Sequence, residues 1–154
     1  MKKILFLICA LLSMNTFAIS IPITEGMLNA QVSNSFPKTI KKVELSNPQI
    51  TLMNGKSILC MDGIPRVMFL EKAFKTCASF KPVWNEKESR LEATNLEILD
   101  LEVKDVGSLP PALKFLVTEV ISGIEPLVLY KADSWLLKQI SAIEIEKNMI
   151  YLKF

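Results

Sequence analysis

The chain has 154 residues, of which half are hydrophobic and 22% are charged, and its formal net charge is +2. This length fits one domain of ordinary size, and a chain so rich in hydrophobic residues is not intrinsically disordered. It contains no histidine, which excludes Ser–His and Cys–His catalytic pairs and every metal site that uses histidine ligands.

The N-terminus has the pattern of a cleaved secretory signal peptide. Lys2 and Lys3 precede an apolar run over 4–12. Thr16 and Ala18 then supply small residues before a cleavage site that follows Ala18. A membrane anchor is the alternative, but the run is shorter than the roughly 20 apolar residues that span a bilayer.

The predicted products are a signal peptide at 1–18 and a single mature domain at 19–154. The one cysteine of the leader, Cys9, lies inside the apolar run and not after the cleavage site, so we expect a soluble product with no stable membrane anchor. Of the 18 basic residues, loss of the two leader lysines leaves 16, which equals the number of acidic residues. This zero net charge provides no basic surface for nucleic acid.

The mature chain begins with the patterns of a short strand and a short helix. Residues 19–23 alternate in polarity, as an edge strand does. Thr24 is a good N-cap, and apolar residues recur every four positions from Leu28. The pattern predicts a helix over 25–35 that Pro37 ends.

Residues 41–81 have the pattern of antiparallel strands. Asn54-Gly55 is a strong signal for a two-residue hairpin turn. Over 74–81, apolar and small residues alternate with polar ones, which is typical of a strand with one face in solvent.

The mature chain keeps two cysteines, Cys60 and Cys77. Export to an oxidising compartment favours a disulfide between them. Two separate buried thiols are the alternative, since a free cysteine packs as a small hydrophobic residue. A redox role is not indicated, because the spacing is not Cys-x-x-Cys.

The run over 90–106 predicts one long strand in which the alternation slips twice. Leu91 and Leu99 share one phase, whereas Leu96 and Ile98 fall on the other. A slip without a turn residue indicates a β-bulge, which bends and twists a sheet. We therefore expect a highly curved antiparallel sheet.

A second helix is predicted over 112–125. Proline is tolerated in its first turn, and Pro126 ends it. Its apolar residues cover nearly half of the circumference, which is typical of a helix that lies deep on a sheet. They are Leu113, Leu116, Val117, Val120 and Ile124.

The chain closes with an extended segment at 127–130, a short helical turn at 133–138 and a β-hairpin. With Lys147-Asn148 as its turn, Ile145 faces Ile150 in the hairpin. The order of elements predicts an α+β fold. In it, a long helix is packed in a highly curved antiparallel sheet, with a short N-terminal helix and a C-terminal hairpin.

Such a fold can leave an apolar groove between the long helix and the sheet, in which a lipid or another hydrophobic molecule binds. Packing of the same side chains in a closed core is the alternative. The residues expected to line the groove are Leu113, Leu116, Val117, Val120 and Ile124 of the helix and Phe80 and Leu101 of the sheet. The sequence has no nucleophile elbow, phosphate loop, dinucleotide fingerprint or EF-hand loop. We therefore expect no enzyme activity, no cofactor and no metal site.

Several segments, taken together in order, resemble the YceB-like lipoproteins, a family of bacterial envelope proteins built on a domain of unknown function. These segments are ITE at 23–25, FKPVWNEKE at 80–88, LEILDLEV at 96–103, PLVLY at 126–130 and IEIE at 143–146. The resemblance implies a periplasmic protein of a Gram-negative bacterium. It also implies a fold similar to the tubular lipid-binding type of the bactericidal permeability-increasing protein. Typical members carry a lipid-modified cysteine where this chain has Ile19.

Two functions are consistent with these observations. The first is a soluble periplasmic protein that binds a lipid or another hydrophobic ligand in the groove. The second is a non-enzymatic interaction or scaffold protein of the cell envelope, whose core is filled by its own side chains. In the second, an exposed strand such as 43–53 would pair with a strand of an envelope partner.

Overall fold

The computed structural model describes residues 19–67, 72–104, 110–132 and 139–154. The predicted signal peptide and the predicted helical turn at 133–138 lie outside these ranges. The described elements, in chain order, are β1 Ser20–Thr24, α1 Glu25–Ser33, β2 Lys38–Ile40, β3 Val43–Met53, β4 Lys56–Pro65, β5 Phe74–Asn85, β6 Arg90–Val103, α2 Pro111–Ser122, β7 Leu127–Lys131, β8 Ala142–Glu146 and β9 Met149–Lys153.

The strands form two antiparallel sheets. The larger sheet has six strands in the order β2-β3-β4-β5-β6-β7, and the smaller has three in the order β1-β9-β8. Helix α1 contacts both β3 and β7, which lie near opposite ends of the larger sheet. The larger sheet therefore curls around α1. Strand β8 contacts β3, β4 and β5, and this places the smaller sheet against the middle of the larger one.

The predicted α+β fold with a long helix packed in the sheet is wrong. Strands account for 58% of the described residues and helices for 18%, and both helices are short. Helix α2 ends at Ser122, before the predicted end at 125, because the chain turns at Gly123. A Cβ atom at Gly123 would lie 3.0 Å from Cγ2 of Ile40, so the turn packs closely on β2. The long strands β5 and β6 form most of the fold, and α2 covers part of β6.

The bulges predicted in the long strand are confirmed. The pairing of β5 with β6 shifts register between Cys77 and Ala78 and again between Ser79 and Lys81. On the β6 side, the first shift leaves Leu99 without a directly opposite partner. Because bulges increase local twist, the two shifts account for much of the curl of the sheet.

Both predicted hairpins are confirmed, as is the predicted N-cap of the first helix. Met53 pairs with Lys56 across the Asn54-Gly55 turn, where Gly55 has a φ of +72°. Ile145 pairs with Ile150 at the C-terminal hairpin. Helix α1 begins after Thr24, whose hydroxyl accepts a hydrogen bond from the Met27 amide, but it ends at Ser33 and is shorter than predicted.

Side chains of α1 close the outer edge of β3. Strand β2 covers only the first three residues of that edge, up to Leu45. Farther along, the Asn29 side chain accepts from the Ile50 amide at 2.6 Å and donates to the Ile50 carbonyl at 3.0 Å. The Leu52 amide donates to Glu25 Oε2 at 2.8 Å. This edge is therefore covered at residues 43–45, 50 and 52, so strand pairing with a partner along the whole of 43–53 would have to displace β2 and the α1 side chains.

A cross-strand contact at Gly63 predicts opposite effects for two alanine substitutions. Gly63 pairs with Phe74, whose ring covers it so closely that a Cβ atom would lie 2.1 Å from Phe74 Cζ. Phe74 is buried, so we expect Gly63→Ala to lower the free energy of unfolding by about 2 kcal/mol.

In helix α1, a Cβ atom at Gly26 meets nothing closer than Thr24 Oγ1 at 3.9 Å. Gly26→Ala should therefore raise the free energy of unfolding by about 0.7 kcal/mol.

Urea denaturation of the two variants measures both values. A stable Gly63→Ala protein would mean that Phe74 can turn away from the strand at little cost.

Candidate functional site

The residues predicted to line a groove all belong to or pack against one hydrophobic core. Those that are fully or almost fully buried are Leu113, Val117, Val120, Ile124 and Phe80. Leu116 and Leu101 are partly buried and pack against the same cluster. These seven side chains serve chiefly as packing in that core, and a role for them in ligand binding stays a prediction.

An apolar cleft lies at the end of the larger sheet where β4 and β5 separate. It has a volume of about 510 Å³, which is in the range of small-molecule sites. We call it the apolar cleft. It is lined by Met53, Gly55, Lys56, Ser57, Ile58, Ser79, Phe80, Lys81, Pro82, Leu99 and Ile145.

The apolar cleft exists because the pairing of two neighbouring strands stops early. The ladder between β4 and β5 ends at the pair Ile58–Ser79, although both strands continue beyond it. Past that point the hydroxyl of Ser57 donates to the carbonyl of Phe80, so a side chain takes the place of a ladder bond. The register shift between Ser79 and Lys81 falls at the same level and turns β5 away from β4.

The C-terminal hairpin forms a further wall of the apolar cleft. The Gly55 amide donates to the Ile145 carbonyl at 3.0 Å, and the Lys147 amide donates to Asn54 Oδ1 at 3.0 Å. These bonds fasten the end of β8 to the turn between β3 and β4. Ile145 consequently faces the cleft from the smaller sheet.

Two large hydrophobic side chains at the apolar cleft are unusually exposed. Leu99 is 57% exposed and Met53 is 46% exposed. Leu99 occupies the bulge of β6, and a bulge redirects a side chain out of the regular alternation. Exposed apolar side chains grouped beside a concavity are typical of a binding surface.

Sequence reasoning identified only one lining residue of the apolar cleft, Phe80. The slip in alternation near Leu99 indicates a bulge, but it does not tell which side chain the bulge exposes. Met53 and Ile58 lie on the neighbouring strands β3 and β4, whereas Ile145 lies on β8, which is distant in sequence, so only the folded chain brings the three side chains together.

Among the other clefts in the described part of the chain, the two largest are more polar. One, of about 730 Å³, lies between α1 and β3, and its lining includes Asn29, Glu44 and Gln49. Another, of about 440 Å³, lies at the far ends of β4, β5 and β6 and includes Asp62 and Glu102. Neither contains a charged group that is both buried and unpaired.

A partly buried ion pair occurs at the start of β6, away from these clefts. The Glu92 carboxylate is buried, and Oε1 accepts from Arg90 Nε and, at 3.2 Å, from Asn85 Nδ2. The hydrogen bond to Glu92 raises the pKa of the Arg90 guanidinium above its ordinary value. The carboxylate is satisfied by its neighbours, so this pair is structural.

The predicted disulfide is confirmed. Cys60 and Cys77 are directly opposite each other on β4 and β5, and their sulfur atoms are bonded. The bridge lies two residue pairs before Ile58–Ser79, where the strands separate. It therefore crosslinks the two strands that form the walls of the apolar cleft.

The described residues were also compared with the requirements of a metal site and of a membrane-spanning helix. They contain no group of three or more acidic or cysteine side chains placed to hold a metal ion. Neither of the helices in the described ranges has the length and apolar content that crossing a bilayer requires.

Comparisons with known proteins give no family and no function for this chain. The chain matches no model of a known protein family and none of the curated proteins.

Proposed function

We propose that this protein binds a small hydrophobic ligand in the apolar cleft and does not catalyse a reaction. The observation that carries the proposal is the grouping of Leu99, Met53 and Ile145 around a cleft of about 510 Å³. Leu99 and Met53 are exposed by 57% and 46%. Covering them would contribute about 25 cal/mol for each Å² of apolar surface removed from water.

This proposal differs from the binding mode that the sequence suggested. The ligand lies at the separation of β4 from β5, and the space between α2 and the sheet is filled by core side chains such as Val117 and Val120. A filled core gives the cleft a fixed back wall, formed by Phe80 and Pro82.

We also propose that the protein acts in the periplasm after removal of residues 1–18. The disulfide between Cys60 and Cys77 supports an oxidising compartment, because such bonds rarely persist in a reducing cytosol. The basic and apolar start of the chain supports export.

Leu99→Asp is expected to weaken binding of the apolar fluorescent probe N-phenylnaphthylamine about tenfold, which corresponds to roughly 1.4 kcal/mol. The substitution removes apolar contact and places a carboxylate beside the ligand. Because Leu99 is exposed in a bulge, the fold should be retained. Probe fluorescence during titration gives the dissociation constant.

Met27→Asp provides the matched control. Met27 is 44% exposed, lies on α1 and does not line the apolar cleft. Its replacement should leave probe binding unchanged. Equal weakening by both substitutions would mean that the probe binds exposed apolar surface without selecting the cleft.

Native mass spectrometry of protein purified from the periplasm without detergent tests for a natural ligand. A bound mass that extracts into organic solvent supports a carrier. A bare mass together with an absence of probe binding contradicts ligand binding and favours an envelope interaction protein. The same spectrum measures the N-terminus of the mature chain.

A further inference from the structure

The charged residues that line the apolar cleft are all positive. Its lining residues include two lysines, Lys56 and Lys81, and no aspartate or glutamate. The polar clefts differ in this respect, since Glu44 lines one of them and Asp62 and Glu102 line the other. An anion is therefore favoured at the apolar cleft and not at the other two.

The two lysines project from facing strands. The last pair of the β4–β5 ladder is Ile58–Ser79, and Lys56 and Lys81 each lie two residues beyond it, where the two strands separate and line the cleft. Both side chains are exposed and share the outer face with Ile58 and Ser79. Two lysines that line one cleft repel each other, and an anion bound in that cleft would offset the repulsion.

No acidic side chain of the described residues neutralises this pair. The ion pairs in those parts of the chain use Lys41, Arg66, Arg90 and Lys153. In the pairing of β5 with β6, the acidic residue Glu97 is opposite Ser79, but it does not line the cleft. Lys56 and Lys81 thus have no acidic partner among the residues that line the cleft.

We infer that the apolar cleft selects a free fatty acid, with its chain against the apolar lining and its carboxylate between Lys56 and Lys81. This inference rests on the proposed function and names its ligand class. The volume of about 510 Å³ suits one chain better than the two chains of a phospholipid. Lysine stems pack along apolar surface while their ammonium groups stay in water, which is the geometry that an amphiphile requires.

The test compares decanoate with decanol, which have the same chain length and differ in charge. Displacement of N-phenylnaphthylamine measures the affinity of each at low ionic strength. In the unmodified protein we expect decanoate to bind roughly five- to tenfold more tightly than decanol, because two exposed ion pairs contribute modestly. The difference should shrink as salt is added.

The double variant Lys56→Gln/Lys81→Gln should bind both compounds with the affinity of decanol. The double variant Lys87→Gln/Lys131→Gln makes the same change in net charge outside the cleft and should keep the preference for decanoate. Its result separates a local effect from attraction by the whole protein.

The outcomes separate the two proposals. Equal binding of decanoate and decanol by the unmodified protein overturns the fatty-acid inference and leaves hydrophobic binding in place. A preference for decanoate that survives loss of Lys56 and Lys81 also overturns it. Binding of neither compound, with no probe to displace, overturns both proposals.

Discussion

Asn29→Ala is expected to lower the free energy of unfolding by about 3 kcal/mol. The Asn29 amide satisfies both backbone groups of Ile50, whose side chain is fully buried in the core. Alanine leaves that amide and that carbonyl without a partner, and each unsatisfied group costs about 1–3 kcal/mol. Urea denaturation followed by circular dichroism measures the loss.

Asn29→Asp separates the two hydrogen bonds. The aspartate can still accept from the Ile50 amide, but it cannot donate to the Ile50 carbonyl and places a negative charge near that oxygen. We expect a loss of stability comparable with that of alanine. Asn34→Ala is the control, because Asn34 is exposed at the end of the same helix and its side chain makes no hydrogen bond among those found in the described residues. A stability equal to that of Asn34→Ala would contradict the sealing role of Asn29.

The result also bears on aggregation. An unpaired strand edge is a template for pairing with another chain, and proteins cover such edges in several ways. Here the first part of the β3 edge is covered by β2, and Asn29 and Glu25 bond to the part beyond it. Pro48 has no amide hydrogen to leave unpaired. Loss of Asn29 should therefore increase self-association on mild heating as well as lower stability.

Features that depend on neighbouring residues were predictable from the sequence. The Asn54-Gly55 turn fixes the pairing of Met53 with Lys56, and the slips of alternation in β6 mark its bulges. In both cases the signal and the structure lie within a few residues of each other. The extent of α2 was not predictable in this way, because its end depends on close packing of Gly123 against Ile40, which is distant in the sequence.

Most of the candidate site could not be predicted from the sequence, because its residues lie on strands that are brought together only by folding. The width of the apolar face of α2 correctly indicated deep burial, but width does not tell whether a groove or a core faces the helix. The apolar cleft depends on where β4 leaves β5 and on where β8 docks. Those are properties of strands that meet only in the folded protein. The bulge at Leu99 was visible as a slip of phase, but the slip does not tell that Leu99 lines a cleft.

Replacing Cys60 and Cys77 together by serine is expected to lower the free energy of unfolding by about 3 kcal/mol. The bridge joins positions 17 residues apart, and its main effect is to restrict the unfolded chain. Both side chains are only partly buried on the outer face, so the substitution leaves no large cavity. Urea denaturation measures the change. Reductant should reproduce it in the unmodified protein and have no effect on the double variant.

Ligand binding by the same double variant shows whether the bridge also shapes the native cleft. Backbone pairs Leu59–Ala78 and Ile58–Ser79 lie between the bridge and the separation of the strands, and we expect them to persist without it. We therefore expect an unchanged dissociation constant for N-phenylnaphthylamine under conditions in which the variant remains folded. A weaker affinity in the folded variant would mean that the crosslink holds β4 and β5 at their distance in the native state. Loss of the bridge would then change the native structure as well as the unfolded chain. Reduction would release the ligand before the chain unfolds.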